Sequence, residues 1–257
     1  MSLWTAFPHP GAYAFDAAST ALGWTRLHQG DSEPLPADAS LLDAWALFHN
    51  GEFQKAAAAG LALGGAGLTL ANKATCIYAT YLEPFERLRL DLFLEVAARA
   101  EAQAQEDPQN ANAWYWHAYA LGRYSQGISV AKALAQGLGG KVKESLERTI
   151  RLEPKHAGAH IALGAFHAEV IDKVGALIGS MTYGVRKDVG LKLLQEALNL
   201  TPGAAIAMVE YANALLMLDG QQRLAEATRL YEQAATAAPL DAMEHLDADL
   251  ARSELDG

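Results

Sequence analysis

The sequence predicts an all-α protein, a solenoid of antiparallel helical hairpins, and three observations predict it. Four prolines, Pro108, Pro154, Pro202 and Pro239, each close an amphipathic run, and proline stops a helix because it lacks the N–H and restricts the residue before it. A new helical run begins within a few residues of the first three prolines, at Ala113–Tyr124, Ala157–Val170 and Ala205–Leu218; connections this short imply antiparallel neighbours. Apolar residue types make up 51% of the 257 residues and charged types 19%, enough to bury a substantial interior and too apolar for a disordered chain.

Taken in order, residues 1–40 form a predicted capping segment with one helix over Tyr13–His28, where Tyr13, Ala17, Ala21, Trp24 and Leu27 recur at helical spacing. Residues 41–239 carry about five hairpins. The first turns at Asn50-Gly51, and helices over Leu68–Tyr81 and Pro84–Glu106 form the next. The remaining three are set by the prolines. Residues 240–257 supply a closing helix over Leu240–Leu255, acidic on its wet side. Each hairpin exposes an apolar face, so neighbours must stack and both ends need caps.

The recurring phrases are specific. Asp107-Pro108-Gln109-Asn110-Ala111-Asn112-Ala113-Trp114-Tyr115 resembles the boundary between tetratricopeptide (TPR) repeats almost residue for residue. Pro154-Lys155-His156-Ala157-Gly158-Ala159-His160 followed by Leu163-Gly164 is similar, and Pro202 through Tyr211-Ala212 is a weaker third copy. Leu47-Phe48-His49-Asn50-Gly51-Glu52-Phe53-Gln54-Lys55-Ala56 resembles the turn inside a TPR hairpin. The resemblance implies a right-handed solenoid that binds a protein or peptide on its concave face.

Two repeats depart from that pattern. A plain TPR is about 34 residues long, yet Pro108 to Pro154 spans 46 and Pro154 to Pro202 spans 48. Both inserts fall between the two helices of a hairpin, near residues 125–141 and 171–187, and their small apolar residues predict extra helical turns. Lengthened hairpins of this kind are similar to the regulator of microtubule dynamics family and to TPR subunits of bacterial solute transporters. Either resemblance implies a binding protein, the second an envelope location. The inserts are expected to pack on one another, or to hold a small apolar ligand or partner helix between Ile128, Leu134, Leu177, Ile178 and Met181.

In TPR proteins the first helix of each hairpin lines the concave face. The resemblance places Asn112, Tyr115, Trp116, Tyr119 and Arg123 there, with Ile161 and Ala165 from the next repeat and Glu210 and Asn213 from the one after. Aromatics beside an arginine offer large contact area with a directional polar handle, the chemistry of binding hot spots. An aromatic stripe at helical spacing serves equally as core. The TPR carboxylate clamp for C-terminal peptides is not matched, because Asn213 stands alone and Val209 occupies a position that needs a polar side chain.

Other chemistries find little footing. His156 and His160 stand at i and i+4, a spacing that puts two imidazoles on one helix face, but no His-Glu-x-x-His pattern accompanies them. Lys141, Lys143, Arg186 and Lys187 form a basic strip suited to an anion or to solvation beside Glu144 and Asp188. Gly137-Leu138-Gly139-Gly140-Lys141 lacks phosphate-loop spacing. No enzyme activity, cofactor or metal is predicted. The single cysteine, Cys76, precludes an intrachain disulfide, and its neighbours mark it as buried packing. A formal charge of −10 disfavours nonspecific nucleic-acid binding. The start lacks a basic, apolar leader, which predicts the cytoplasm unless a leader has been removed. No membrane span is predicted, and apolar inserts leave self-association open.

Overall fold

The computed structural model describes residues 4–256; residues 1–3 and 257, at the outer edges of the two predicted capping segments, lie outside the described residues. The described residues are all-α, with no strand among them. The chain forms two compact units. One comprises the residues up to His28, Ser32–Leu152 and Asp241–Met243; the other comprises Gln29–Asp31, Glu153–Leu240 and Glu244 onward.

The first unit opens with α1 (Ala17–Leu27), whose start is fixed by a capping box: Asp16 accepts from Ser19 N–H, and Ser19 Oγ accepts from Asp16 N–H. These bonds satisfy orphan donors of the first turn, which is why the helix begins at Ala17 and not at Tyr13, where apolar spacing alone placed it. Next come α2 (Ala39–His49) and α3 (Phe53–Leu63). The turn between them needs Gly51, which has φ 84°; a Cβ there would stand 2.6 Å from the Phe7 ring. Two further hairpins follow: α4 (Gly67–Tyr81) with α5 (Glu86–Glu106), and α6 (Ala111–Gln126) with α8 (Leu138–Leu152). Between α6 and α8 the first insert forms the short α7 (Val130–Ala135), capped by Ser129.

Packing follows the hairpin logic. Helix α4 lies against its own partner α5 and the preceding α3, and α6 lies against α8 and the preceding α5. The first helices of successive hairpins, α2, α4 and α6, also contact one another, forming one face of the unit. Every residue from Thr69 to Ala79 of α4 is buried. Trp45, Phe48, Leu70 and Tyr78 are the largest side chains sealed here, each stabilising the fold by about 1.5–3 kcal/mol. A buried hydrogen bond closes the unit: His49 Nδ1 donates to Asp241 Oδ2 at 2.6 Å.

Between α1 and α2 the chain runs without regular structure from Ser32 to Pro36. Ser32 has φ 50°, a left-handed conformation costing a non-glycine residue about 1–2 kcal/mol. Its N–H donates to His28 O at 2.8 Å.

The second unit holds α9 (Ala157–Val174) and α11 (Lys187–Leu200), with the second insert forming α10 (Ala176–Tyr183) between them. A 3-10 turn joins α12 (Ala205–Asp219) to α13 (Leu224–Ala235), and α14 (Ala242–Asp256) ends the chain. Helix α9 packs on α11 and α12. Gly164 makes this possible: a Cβ there would stand 2.6 Å from Leu194 Cγ and 2.9 Å from Gly190 O. The core is small-residue rich, with Val209, Ala212, Ala227, Tyr231, Ala234 and Ala251 in one cluster. Both predicted inserts are thus helical, one in each unit. No helix among the described residues is long and apolar enough to cross a membrane.

Candidate functional site

Within the first unit, Asn112, Trp116, Tyr119 and Arg123 follow one another along α6 at intervals of three and four residues, which aligns them on one side of the helix. The helix starts cleanly because Asn110 caps it, its side chain accepting Ala113 N–H. Tyr119 Oη lies 3.0 Å from Thr80 Oγ1 of α4, so this side of α6 meets the neighbouring first helix. Burial pushes the Tyr119 phenol up, against the lowering effect of Arg123 and of the Thr80 bond.

Exposure divides the predicted contact residues. Tyr115 and Trp116 are buried at 8% and 3%, with rings edge to face at 4.8 Å; they are core and back the surface without forming it. Tyr119 and Arg123 are half-buried, the guanidinium lying over the Tyr119 ring at 5.3 Å and its Nη1 donating to Gln126 Oε1. Asn112 is buried, and its Nδ2 donates to Glu33 Oε2 at 2.6 Å. The same glutamate's carbonyl accepts from Trp24 Nε1 at 2.8 Å.

Between α4 and α5 runs a buried polar network. Arg99 Nε donates to Asn72 Oδ1, Asn72 Nδ2 to Gln103 Oε1, and Gln103 Nε2 to Thr69 Oγ1. Burial pushes the Cys76 thiol up, only partly offset by Arg99 and Arg123. Two buried donors, Arg99 Nη2 and Trp116 Nε1, have no acceptor. Lys73, also buried, lies over the Trp45 and Phe48 rings at 5.5 and 5.0 Å.

In the second unit, Ile161 and Ala165 are half-buried on α9, and Glu210 and Asn213 are half-buried on α12. Asn213 Oδ1 accepts from Tyr231 Oη, whose phenol is pushed up to about 12 by burial, Glu254 and Glu210. Asn213 is therefore engaged with α13. The insert residues are largely open: Leu134 on α7 and Leu177, Ile178 and Met181 on α10 are exposed, Leu177 at 75% and Met181 at 81%, while Ile128 is half-buried.

The histidines have structural employment. His156 Nδ1 accepts Ala159 N–H at 3.0 Å and caps α9. His160 Nε2 donates to Pro154 O at 2.9 Å. His167 Nδ1 accepts Arg186 N–H at 2.9 Å, tying the end of the second insert to α9. The basic strip is partly neutralised, with Lys143 on Glu147, Arg186 on Asp188 and Lys187 on Asp219. Sequence reasoning did not anticipate Glu33. It lies within the predicted capping segment of residues 1–40, and its bond to the distant Asn112 gives it a role.

Stacked hairpins whose first helices share a face, four of them closed by a proline, define a TPR-like fold, and comparison with known structures agrees. The thermophilic TPR protein TTC0263 of Thermus thermophilus superimposes with a TM-score of 0.58 at 17% identity, over 83% of this chain and 97% of that one. YrrB, a TPR protein described as having an unusual peptide-binding site, gives 0.41 at 14% identity over 91% and 99%. Human IFIT1, described as a dimer with PPP-AAAA, gives 0.46 at 10% identity over 93% and 64%. More particularly, the chain is similar over residues 69–174 to the family described as regulator of microtubule dynamics protein 1-3. No curated protein matches it.

Proposed function

We propose that the chain is a noncatalytic scaffold that receives a protein or peptide segment on the face lined by α2, α4 and α6. The observation that carries this reading is the half-buried Arg123 stacked over Tyr119. A planar cation on an aromatic ring is pre-organised for carbonyl or carboxylate partners. In the second unit the corresponding contacts are Ile161, Ala165, Glu210 and Asn213.

Peptides selected from a random library for binding to the full chain test this directly. Arg123→Lys keeps the charge and loses the planar stack, so selected peptides should weaken by about tenfold or more, the scale of a binding hot spot, with the thermal midpoint nearly unchanged. Peptides indifferent to both Arg123→Lys and Arg123→Ala would refute the assignment. A second reading rests on exposed Leu177, Ile178 and Met181, which suit a small apolar ligand carried at the inserts. Native mass spectrometry would then show a stoichiometric apolar adduct, and a clean mass removes that reading.

A further inference from the structure

We infer that Ser32–Pro36 is a built-in occupant of the peptide-binding face at the Asn112 end of α6, and that the guest it stands in for is an extended acidic peptide with a carboxylate beside proline. The inference rests on the reading that this face takes a peptide, and it adds what that peptide looks like and what it must displace.

Glu33 is held through its carboxylate by Asn112 Nδ2 and through its carbonyl by Trp24 Nε1. Asn112 belongs to the first turn of the 16-residue α6, where the positive end of the helix dipole favours an anion. Asn112 is also the residue that the TPR resemblance assigns to partner contact, so a predicted binding position is filled by the chain itself.

The occupant is built to leave. Pro34 and Pro36 have no N–H to donate and hold the segment extended. Leu35 is 56% exposed, so it adds little burial. Ser32, immediately before the pinned glutamate, is left-handed and relaxes once the segment lifts. Release therefore requires no helix to unfold.

The test is displacement in trans. A fluorescein-labelled peptide of residues 30–37 is titrated, into the millimolar range typical of a short tether's effective concentration, against three forms of the full chain. These are the wild type, Glu33→Ala, and a variant with residues 32–36 replaced by glycine and serine. Circular dichroism confirms that each is folded. The opened variants should bind about tenfold tighter than wild type, more weakly as salt rises. A peptide carrying E33K should not bind, and Asn112→Ala in the opened chain should abolish binding. Equal binding to wild type and opened forms, binding to none, or indifference to Asn112→Ala overturns the inference. Should that happen while library-selected peptides still depend on Arg123, self-occupancy fails and the scaffold reading stands. Should the peptide bind only opened forms while selected peptides ignore Arg123, the reverse holds.

Discussion

Two glycines inside helices should respond to alanine with opposite signs. In general, replacing a helical glycine by alanine stabilises by about 0.8–1.0 kcal/mol. At Gly164 that gain meets a wall: the new Cβ would stand 2.6 Å from Leu194 Cγ and 2.9 Å from Gly190 O, where carbon contacts settle near ~3.5–4.0 Å. Leu194 is fully buried against Ala168 and Ala214, and the Gly190 carbonyl belongs to the backbone of α11, so neither can give way cheaply. Overpacking of this kind costs about 1–3 kcal/mol and wins. Net of that gain, Gly164→Ala should destabilise by up to about 2 kcal/mol, lowering the melting midpoint by up to about 8 °C at about 2–4 °C per kcal/mol. Gly122 of α6 has nothing within 4 Å of its Cβ position, so Gly122→Ala keeps the propensity gain and should raise the midpoint by about 1–4 °C. Scanning calorimetry reads both midpoints. Hydrogen exchange, which follows local opening, should show lost protection on α9 and α11 in Gly164→Ala alone. If Gly164→Ala raises the midpoint, or leaves α9 and α11 as protected as before, the close-approach argument is wrong.

Three further outcomes follow from the same structure. Burial holds the His117 imidazole below its usual range, at a hydrogen bond to Ser145 Oγ of 2.9 Å. The unfolded imidazole takes its proton first, near pH ~6.5, so stability is full above that pH and falls as the pH drops through it; urea midpoints measured from pH 7 to 5 should fall less in His117→Gln than in the wild type. Cys76, buried with its thiol pushed up, should react with a thiol reagent only as fast as the protein opens, and fast labelling of the native chain would contradict its placement. Leu177→Ser should change stability by no more than ~0.5 kcal/mol, the range for exposed positions, whereas Leu194→Ala should cost about 2–5 kcal/mol; urea titration separates them.

The fold was legible because proline, glycine and apolar spacing act locally. Pro108, Pro154 and Pro202 end helices wherever they stand, and Gly51 and Leu163-Gly164 mark a turn and a close approach that their neighbours require. The extra helical turns at α7 and α10 were legible for the same reason. What spacing could not decide was which aromatic of α6 faces solvent: Tyr115 and Tyr119 lie one turn apart, and only the packing of α4, α5 and α8 buries the first and leaves the second half-open. Histidine roles were hidden too, since a cap such as His156 and a ligand look alike in sequence. Glu33 was invisible because its partner, Asn112, lies 79 positions away.

The pairing of His49 with Asp241 has a consequence for how the protein is made. Its two members are 192 positions apart, and synthesis proceeds at about 5–20 residues per second. A growing chain therefore carries the α2 imidazole for about 10–40 s before its carboxylate has been translated. Until then the first three hairpins are present but the carboxylate that pairs with His49 is not.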